Sequence, residues 1–320
     1  MSAAGCTPRG RESEEYRMTA AFRTYSGEKL YANRDYLPVR AFLSRLNRDG
    51  LQSPNFPWGR WEWMIGHGGL DDRYLDRIGI WEADGEIIGL ATYESGLGDG
   101  YFCLDERYAY LKADMLDYAL HNFHKDGKFR AVIGNNDREF QRIARRMGFC
   151  PTRDVEHIAA VDISPALSYG LPEGFSIVSM ADDAWDFHKY HRCMWRGFNH
   201  PGEPDPSEEA ILVRRRMLSG PGVNPETVVC VAAPGGDFVS HCGTWYLPGD
   251  TYALVEPVAT DPDYRRMGLG RAAVLEAVRR CGRLGARQAL VGSNQQFYYS
   301  IGFDPIHVET WWEYTGPSLL

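Results

Sequence analysis

Apolar and polar residues alternate in two patterns along this chain, one typical of half-buried strands and one of amphipathic helices. In the first half, strands are predicted over 78–82, 86–93, 130–134 and 158–163, and helices within 28–50 and over 110–123 and 137–147. Asp84-Gly85 separates the first two strands and predicts a tight hairpin turn. Short strands mixed with helices indicate an α/β (α+β) fold with a mixed, mostly antiparallel sheet flanked by helices.

The second half repeats this order. Strands are predicted over 228–233, 238–246 and 252–260, and helices over 184–198 and 272–284. The phrases at 131–136 and 289–294 are alike, and each precedes a helix that ends in Gly-Phe. The repeat predicts an internal duplication, with domains at 21–165 and 174–320 joined through a stretch rich in Ser, Pro and Gly. Residues 1–20 are expected to form a disordered leader.

One stretch has no counterpart in the first half. After the strand at 252–260, the chain runs through Arg265-x-x-Gly268-x-Gly270 into an amphipathic helix. The first amides of a helix lack acceptors within it and favour negative charge, and glycines let a ligand approach the backbone closely. The stretch therefore predicts a phosphate cradle, although it is neither a Walker A motif nor a dinucleotide-binding turn.

Composition narrows the class of protein. The net charge is −8, which argues against binding to duplex nucleic acid. Seven scattered cysteines without a C-x-x-C pair indicate reduced thiols in a cytoplasmic protein and no zinc site. No apolar run reaches the length of a membrane span. We expect a monomer or homodimer that binds neither nucleic acid nor membrane and needs no metal.

The glycine loop, its preceding strand, Asn294, Tyr298 and Gly302-Phe303 together resemble the GNAT (GCN5-related N-acetyltransferase) superfamily. The resemblance covers about 225–305 well and 28–163 in outline. It implies a tandem GNAT protein whose N-terminal copy is degenerate, because 101–112 lacks the glycine loop. Counted back from Gly148-Phe149, the first half also has Ala144 where the second has Tyr298.

The resemblance further implies acetyl-CoA as acetyl donor. Its pantetheine arm would pair with the backbone of the strand as an added strand does, and its pyrophosphate would bind the amides of the loop. The implied donor-binding residues are Val258, Ala259, Thr260, Arg265, Arg266, Met267, Gly268, Leu269, Gly270, Arg271 and Asn294.

Acetyl transfer to an amine needs a general base, a general acid and donors for the developing negative charge. Glu256 is the candidate base, because a carboxylate inside an apolar strand is costly unless it is used. By the resemblance, Tyr298 is the candidate acid, with Tyr299 as its rival, and the backbone N–H of Val258 or Ala259 is the candidate donor. His241 and His307 are predicted to be ordinary strand histidines.

The acceptor is the least determined part. Trp58, Trp61 and Trp63 form either an aromatic wall for a cation or part of the core, and core is the preferred interpretation. The directions of five further tryptophans are open: Trp185, Trp195, Trp245, Trp311 and Trp312. Glu203 and Asp205 either attract a cationic amine or belong to a solvated loop and helix cap, and the second interpretation is preferred.

The function predicted is acetyl-CoA-dependent N-acetylation of a primary amine on a small molecule. Two alternatives stay open. One is acetylation of an aminosugar conjugate, as in mycothiol synthase, and the other is a non-catalytic regulator that binds acetyl-CoA. The second would keep the loop and lose the acid and base, whereas this chain has both Glu256 and Tyr298.

Overall fold

The computed structural model describes residues 20–28, 31–48 and 51–317. The predicted leader lies outside these ranges apart from Ala20, and so does the predicted helix end at Asp49-Gly50. The strands are β1 (Ala21–Thr24), β2 (Gly79–Ala83), β3 (Glu86–Thr92), β4 (Asp99–Leu104), β5 (Arg130–Gly134), β6 (Phe149–Asp162), β7 (Ser176–Ser179), β8 (Val229–Ala232), β9 (Phe238–Trp245), β10 (Tyr252–Thr260), β11 (Gln288–Val291) and β12 (Asp304–Tyr314). The α-helices are α1 (Tyr36–Arg48), α2 (Trp58–Gly66), α3 (Lys112–Phe123), α4 (Arg138–Arg146), α5 (Phe187–Gly197), α6 (Glu208–Met217), α7 (Leu269–Leu284) and α8 (Gln296–Ser300).

Local sequence signals account for most of these elements. β5 and β10 have the predicted bounds. In the β2–β3 hairpin Asp84 and Gly85 both have positive φ, at 51° and 79°, as the predicted tight turn requires. Asp137 caps α4 by accepting from the Phe140 amide. None of the helices in the described ranges is long and apolar enough to cross a bilayer.

All twelve strands form one sheet in the order β1-β2-β3-β4-β5-β12-β6-β11-β10-β9-β8-β7. The last strand of each half lies beside the other half: β6 pairs with β11, and β12 pairs with β5. β6 and β12 also pair with each other, antiparallel, at the centre of the sheet. The two halves thus exchange their final strands, and the predicted boundary at 165–174 falls in the irregular segment between β6 and β7.

Helix α2 joins the halves. Trp58 and Trp61 are fully buried, which confirms the core interpretation for these two tryptophans. A Cβ atom on Gly59 would lie 2.5 Å from Cβ of Trp245, so only glycine permits this close approach. The Glu62 carboxylate accepts from the Gly222 amide of the second half. The remaining face of α2 carries Arg60 and Trp63 and lines a cavity described below.

Helix α6 is capped by a serine and not by Asp205, the carboxylate that the sequence offered for a helix cap. Its cap is Ser207, whose Oγ accepts from the Ala210 amide, and Asp205 instead accepts from the Ser207 amide. The capping pattern is therefore two residues further along than Asp205 indicates. Glu203 forms an ion pair with Arg192 at 3.0 Å. Both carboxylates thus belong to the loop before α6, and only the helix cap was misplaced in the interpretation preferred from the sequence.

Candidate active site

The candidate site begins where two parallel strands separate. β10 and β11 are paired only from Tyr252 to Leu254. β10 continues to Thr260, and its far residues are in register with β9 alone. The edge of Val258, Ala259 and Thr260 that faces away from β9 is therefore unpaired by any strand of the sheet. An extended chain can pair with such an edge.

A cleft of about 680 Å³ follows this open edge. It is lined by the β10 edge, by the glycine loop and by the end of α5, and Phe297, Tyr298 and Ile301 close it on the α8 side. Ten of the eleven predicted donor-binding residues belong to this stretch of chain, and all of these except Met267 line the cleft. The structure thus brings them together, and their role in binding stays a prediction.

The loop has the backbone geometry of an anion cradle. Gly268 precedes α7 with φ of 82°, and a Cβ added there would meet no atom within 4 Å, so its requirement is conformational. At Gly270 an added Cβ would make a tight contact, 3.1 Å from Oγ1 of Thr260, so glycine lets the helix start lie close to β10. Arg266 also has positive φ, at 66°. The amides that open α7 therefore face the cleft without an intervening side chain at Gly268.

The three arginines of the loop differ. The Arg265 guanidinium donates to the Gly197 and Thr260 carbonyls and to Asn199, which ties the loop to the end of α5. Arg271 donates to the Ser168 carbonyl at 3.0 Å. Arg266 is exposed and makes no hydrogen bond or ion pair with the described residues. Of the three, Arg266 has its whole guanidinium available for an incoming phosphate.

Arg196 supports the loop and was not singled out from the sequence. It binds Asp261 through Nε and Nη2, and Nη2 also contacts Asp263. Asp261 is buried, and the Arg196 bonds help to hold the pKa of its carboxyl below the usual value although burial acts the other way. The pair fixes the start of the loop against α5. Arg196 and Asp261 are 65 residues apart, and nothing in the sequence indicates that they pair.

A second cavity, of about 560 Å³, adjoins the first. The two share Phe198, Val258, Gln295 and Tyr298 in their walls. The second half contributes Glu256, Pro257 and the end of β11 to the second cavity. The first half contributes the segment before α2, the helix residues Arg60 and Trp63, and part of β6 from Val155 to Ile158. The N-terminal copy therefore forms one wall of this cavity.

Glu256 lies on β10 at an irregularity, since the register with β9 shifts between Val255 and Val258. Its carboxylate lines the second cavity and has no hydrogen-bond or ion-pair partner among the described residues. Burial raises the pKa of Glu256 to about 7, Arg60 lowers it, and Glu94 and Glu156 raise it. A carboxyl with a pKa near neutral can both accept and release a proton at physiological pH.

Tyr298 stands where the two cavities meet, and its residue lines both. Its side chain is 7% exposed. Burial raises the pKa of its phenol, and Cys242 and Glu256 act in the same direction, so the hydroxyl keeps its proton. Tyr299 lines neither cavity and packs against the neighbouring core. The geometry therefore favours Tyr298 over Tyr299 as a proton donor.

Other candidate residues are distributed differently from the prediction. Asn294 lines the second cavity and not the cleft of the glycine loop, whereas its neighbour Gln295 lines both. None of the five further tryptophans lines either cavity: Trp245, Trp311 and Trp312 are buried in the core, Trp185 packs on Tyr190, and Trp195 lies against His200.

The two histidines lie on strands. His241 is fully buried on β9, and burial lowers its pKa to about 3. His307 on β12 has a partner that the sequence did not reveal, because its Nε2 lies 2.9 Å from the Glu309 carboxylate. In the part of the chain that the structure describes, no group of three or more His, Cys, Asp and Glu side chains is placed to hold a metal ion.

A polar network in the first half lies behind the second cavity. The Arg60 guanidinium donates twice to Glu94, and once each to Glu156, Tyr101 Oη and the Asn55 carbonyl. These five bonds use all five of its N–H groups. Tyr101 Oη donates in turn to Glu156 at 2.9 Å. Sequence analysis missed this network, whose members are spread over a hundred residues.

The splayed strands β10 and β11, the open edge of β10 and the glycine loop all lie within one region of the chain, residues 252–291. The sequence model of the acetyltransferase (GNAT) family matches residues 184–303, and this region therefore forms a GNAT domain. No curated protein matched the chain in a sequence search.

Solved structures resemble the chain over nearly its full length. A tandem GNAT protein from the clavulanic acid biosynthesis pathway has a TM-score of 0.60 at 15% identity, covering 94% of this chain and 100% of its own. A GCN5-related N-acetyltransferase from Sphaerobacter thermophilus has a TM-score of 0.53 at 15% identity, covering 94% and 96%. An N-myristoyltransferase from Saccharomyces cerevisiae has a TM-score of 0.51 at 9% identity, covering 97% and 82%. The predicted tandem GNAT fold is confirmed.

Proposed function

We propose that this protein is an acetyl-CoA-dependent N-acetyltransferase that acts on a primary amine of a small molecule. The observation that carries the proposal is the meeting of the two cavities at Tyr298, with Glu256 in the wall of one and the glycine loop in the wall of the other. One cavity is assigned to the acetyl donor and the other to the acceptor amine.

The donor cleft fits acetyl-CoA in chemistry. The unpaired edge of β10 offers backbone donors and acceptors for the two amides of the pantetheine arm. The opening of α7 offers amides and the free Arg266 cation for the pyrophosphate. Asn294 is assigned to the acceptor side by its position, so Gln295 is the better candidate for contact with both substrates.

The residues can perform the proton transfers that the reaction needs. Bound acetyl-CoA supplies an acetyl thioester, whose C–S bond breaks as a C–N bond forms to the amine. Glu256 takes the proton that the ammonium must lose before its nitrogen can attack, directly or through water. The Tyr298 hydroxyl gives its proton to the departing sulfur, and the second proton that the acetylated nitrogen must lose replaces it, directly or through water. The backbone N–H of Val258 or Ala259 stabilises the negative charge on the thioester oxygen.

The size and charge of the acceptor cavity support a small cationic substrate. A volume of about 560 Å³ lies within the range of small-molecule sites, which is roughly 300–1,000 Å³. Its lining contains two carboxylates, Glu156 and Glu256, and one arginine, Arg60, whose donors are all occupied; the other titratable residues there are His157 and Tyr298. An ammonium group meets a favourable charge there.

The experiment is an acetyl-transfer screen over diamines, aminosugars, amino acids and a lysine peptide, read by release of free thiol from acetyl-CoA. We expect release that depends on a small amine and falls strongly in Glu256→Gln. Binding of acetyl-CoA by calorimetry without thiol release on any amine would contradict the proposal and favour a non-catalytic acetyl-CoA-binding protein.

A further inference from the structure

The charge around the acceptor cavity is not balanced by one ammonium group. Arg60 contributes one positive charge, while Glu94, Glu156 and Glu256 contribute three carboxylates, and the first two both act on Glu256 through space. If one ammonium group pairs with Glu256, the remaining charges are those of Arg60, Glu94 and Glu156. One carboxylate is then left without a cation. Behind Asn55, which donates to Glu309, this fourth carboxyl is paired with His307.

The excess lies on the first-half wall of the cavity. Glu156 lines the cavity, and its side chain is 23% exposed. One of its oxygens accepts from Arg60 and the other from Tyr101 Oη. A carboxylate has about four acceptor positions, so Glu156 keeps free positions toward the cavity. Arg60 has none to offer, and an anionic group on the acceptor therefore finds no donor in this guanidinium.

The wall is held firmly. Arg60 is fixed by five hydrogen bonds, and its guanidinium also lies over the Tyr101 ring, 4.6 Å from the centroid. Trp63, from the same helix, lines the cavity beside it and offers an apolar surface for a carbon chain. A preorganised carboxylate with an apolar wall beside it matches an alkyl chain with a charged end.

We propose that Glu156 of the N-terminal half is a specificity-determining residue, which selects acceptors that carry a second cationic group in addition to the amine that is acetylated. Diamines and related polyamines are the simplest members of this class. This inference rests on the proposed function, because it assigns the second cavity to the acceptor. It also gives the N-terminal copy a part in substrate recognition.

The test compares acceptors of equal length that differ at one end. The probes are α,ω-diamines with three to six carbons, the matching n-alkylamines, amino alcohols and ω-amino acids, each assayed for kcat/KM by thiol release. We expect at least one diamine to exceed its monoamine about tenfold and the ω-amino acid to be the poorest. The Glu156→Gln variant should lower the diamine-to-monoamine ratio about tenfold through KM.

The ratio isolates recognition from proton transfer, because both acceptors use the same base and respond equally to any change in Glu256. Glu173→Gln, at an exposed residue that lines neither cavity, is the matched control for net charge. If Glu156→Gln does not fold, Glu94→Gln removes charge from the same cluster.

Calorimetry of the best diamine against the coenzyme A complex measures recognition without turnover, and Glu156→Gln should weaken this binding. Equal kcat/KM for diamines and monoamines, or a ratio that Glu156→Gln and Glu94→Gln leave unchanged, would overturn the inference while acetyl transfer itself stands. Absence of thiol release from every amine would instead contradict the proposed function, and calorimetry would then decide between binding of the diamine through Glu156 and no recognition.

Discussion

The two halves contain the same cleft with different side chains. In the first half, β4 and β5 are parallel and paired at Asp99 and Gly100, as β10 and β11 are in the second. A cavity of about 410 Å³ lies between their separated ends. Between β4 and α3 the chain forms a 3₁₀ helix, Glu106–Leu111, where the second half has its glycine loop. The backbone of a donor site is therefore present without its phosphate cradle.

The chemical residues have also changed. By register from the paired ends of β4 and β10, Cys103 occupies the position of Glu256, and it is buried and donates to the Phe56 carbonyl. Phe140 lines the cleft of the first half, as Tyr298 lines the cavities of the second half. The comparison with Ala144 was wrong, because α4 has nine residues and α8 only five, so counting back from Gly-Phe shifts the alignment. Lys112 lies in this cleft and pairs with Asp137 at 2.8 Å.

The comparison shows that the strand arrangement of the sheet determines where a cleft forms. A few side chains then determine whether the cleft can act as a site. The described part of the first half has no counterpart of the candidate acid, base or cradle in its own cleft, and it forms one wall of the cavity that contains Glu256. Five predictions test the comparison.

The largest effect is expected from removing β12. A chain that stops after Phe303 leaves β5 and β6 without the strand between them. Because β12 completes the sheet of the first half, we expect loss of cooperative unfolding for the whole chain in circular dichroism melts. A chain that stops after Pro317 is the control. A first half that still melts cooperatively in the shorter chain would show that the halves fold separately.

The next effect is on chemistry. Glu256→Gln should lower kcat about 1,000-fold, within the usual range for general acid–base catalysis, because the amide cannot accept the proton. Cys103→Ala, at the corresponding position of the first half, should leave kcat within about threefold. Similar losses of kcat in both variants would indicate that the cleft of the first half also contributes to the reaction.

Tyr298→Phe should lower kcat about 100-fold, because the phenyl ring keeps the packing and removes the donor. The opposite change in the first half, Phe140→Tyr, should add no activity, since that cleft also lacks a base and a cradle. Activity that survives in Tyr298→Phe and disappears in Tyr299→Phe would reverse the assignment.

A smaller effect is expected on donor binding. Calorimetry should find one acetyl-CoA per chain, and Arg266→Glu should weaken its Kd about tenfold by placing an anion beside the pyrophosphate. Arg153→Glu on β6, also exposed and without a polar partner among the described residues, controls for the change in net charge. Two equivalent sites per chain would contradict the degenerate state of the first cleft.

The smallest effect is on the pH profile. Because the base acts unprotonated, kcat/KM should rise with pH and level off above the Glu256 pKa of about 7. Glu94 raises this pKa, so Glu94→Gln should lower it and move the rise to lower pH. A profile that does not move would show that Glu94 leaves Glu256 unaffected, and one that moves to higher pH would contradict the sign of its effect.

Much of the second half could be predicted because its signals are local. The bounds of β10, the glycine loop and the distance from Asn294 to Tyr298 are contained within about fifty consecutive residues. The turn at Asp84-Gly85 and the cap at Asp137 are equally local. Such features depend on backbone preferences and hydrogen bonds between near neighbours, which residue types determine.

The exchange of β6 and β12 could not be predicted, because strand pairing across 150 residues leaves no mark on the alternation of either strand. The Arg60 network could not be predicted for the same reason. Its members Arg60, Glu94, Tyr101 and Glu156 lie on separate segments of the chain, and only the assembled fold brings them together. The wall that the first half contributes to the second cavity is consequently the part of the candidate site that sequence reasoning missed.

The central position of β12 also bears on how the protein is made. During synthesis the first half emerges from the ribosome long before Asp304–Tyr314, so β5 keeps an open edge while the second half is translated. The strand that closes it must be inserted between β5 and β6, a contact of very high sequence separation. The nascent chain is therefore most exposed to mispairing just before its last fold-forming residues appear, and chaperones that shield strand edges should matter most at that stage.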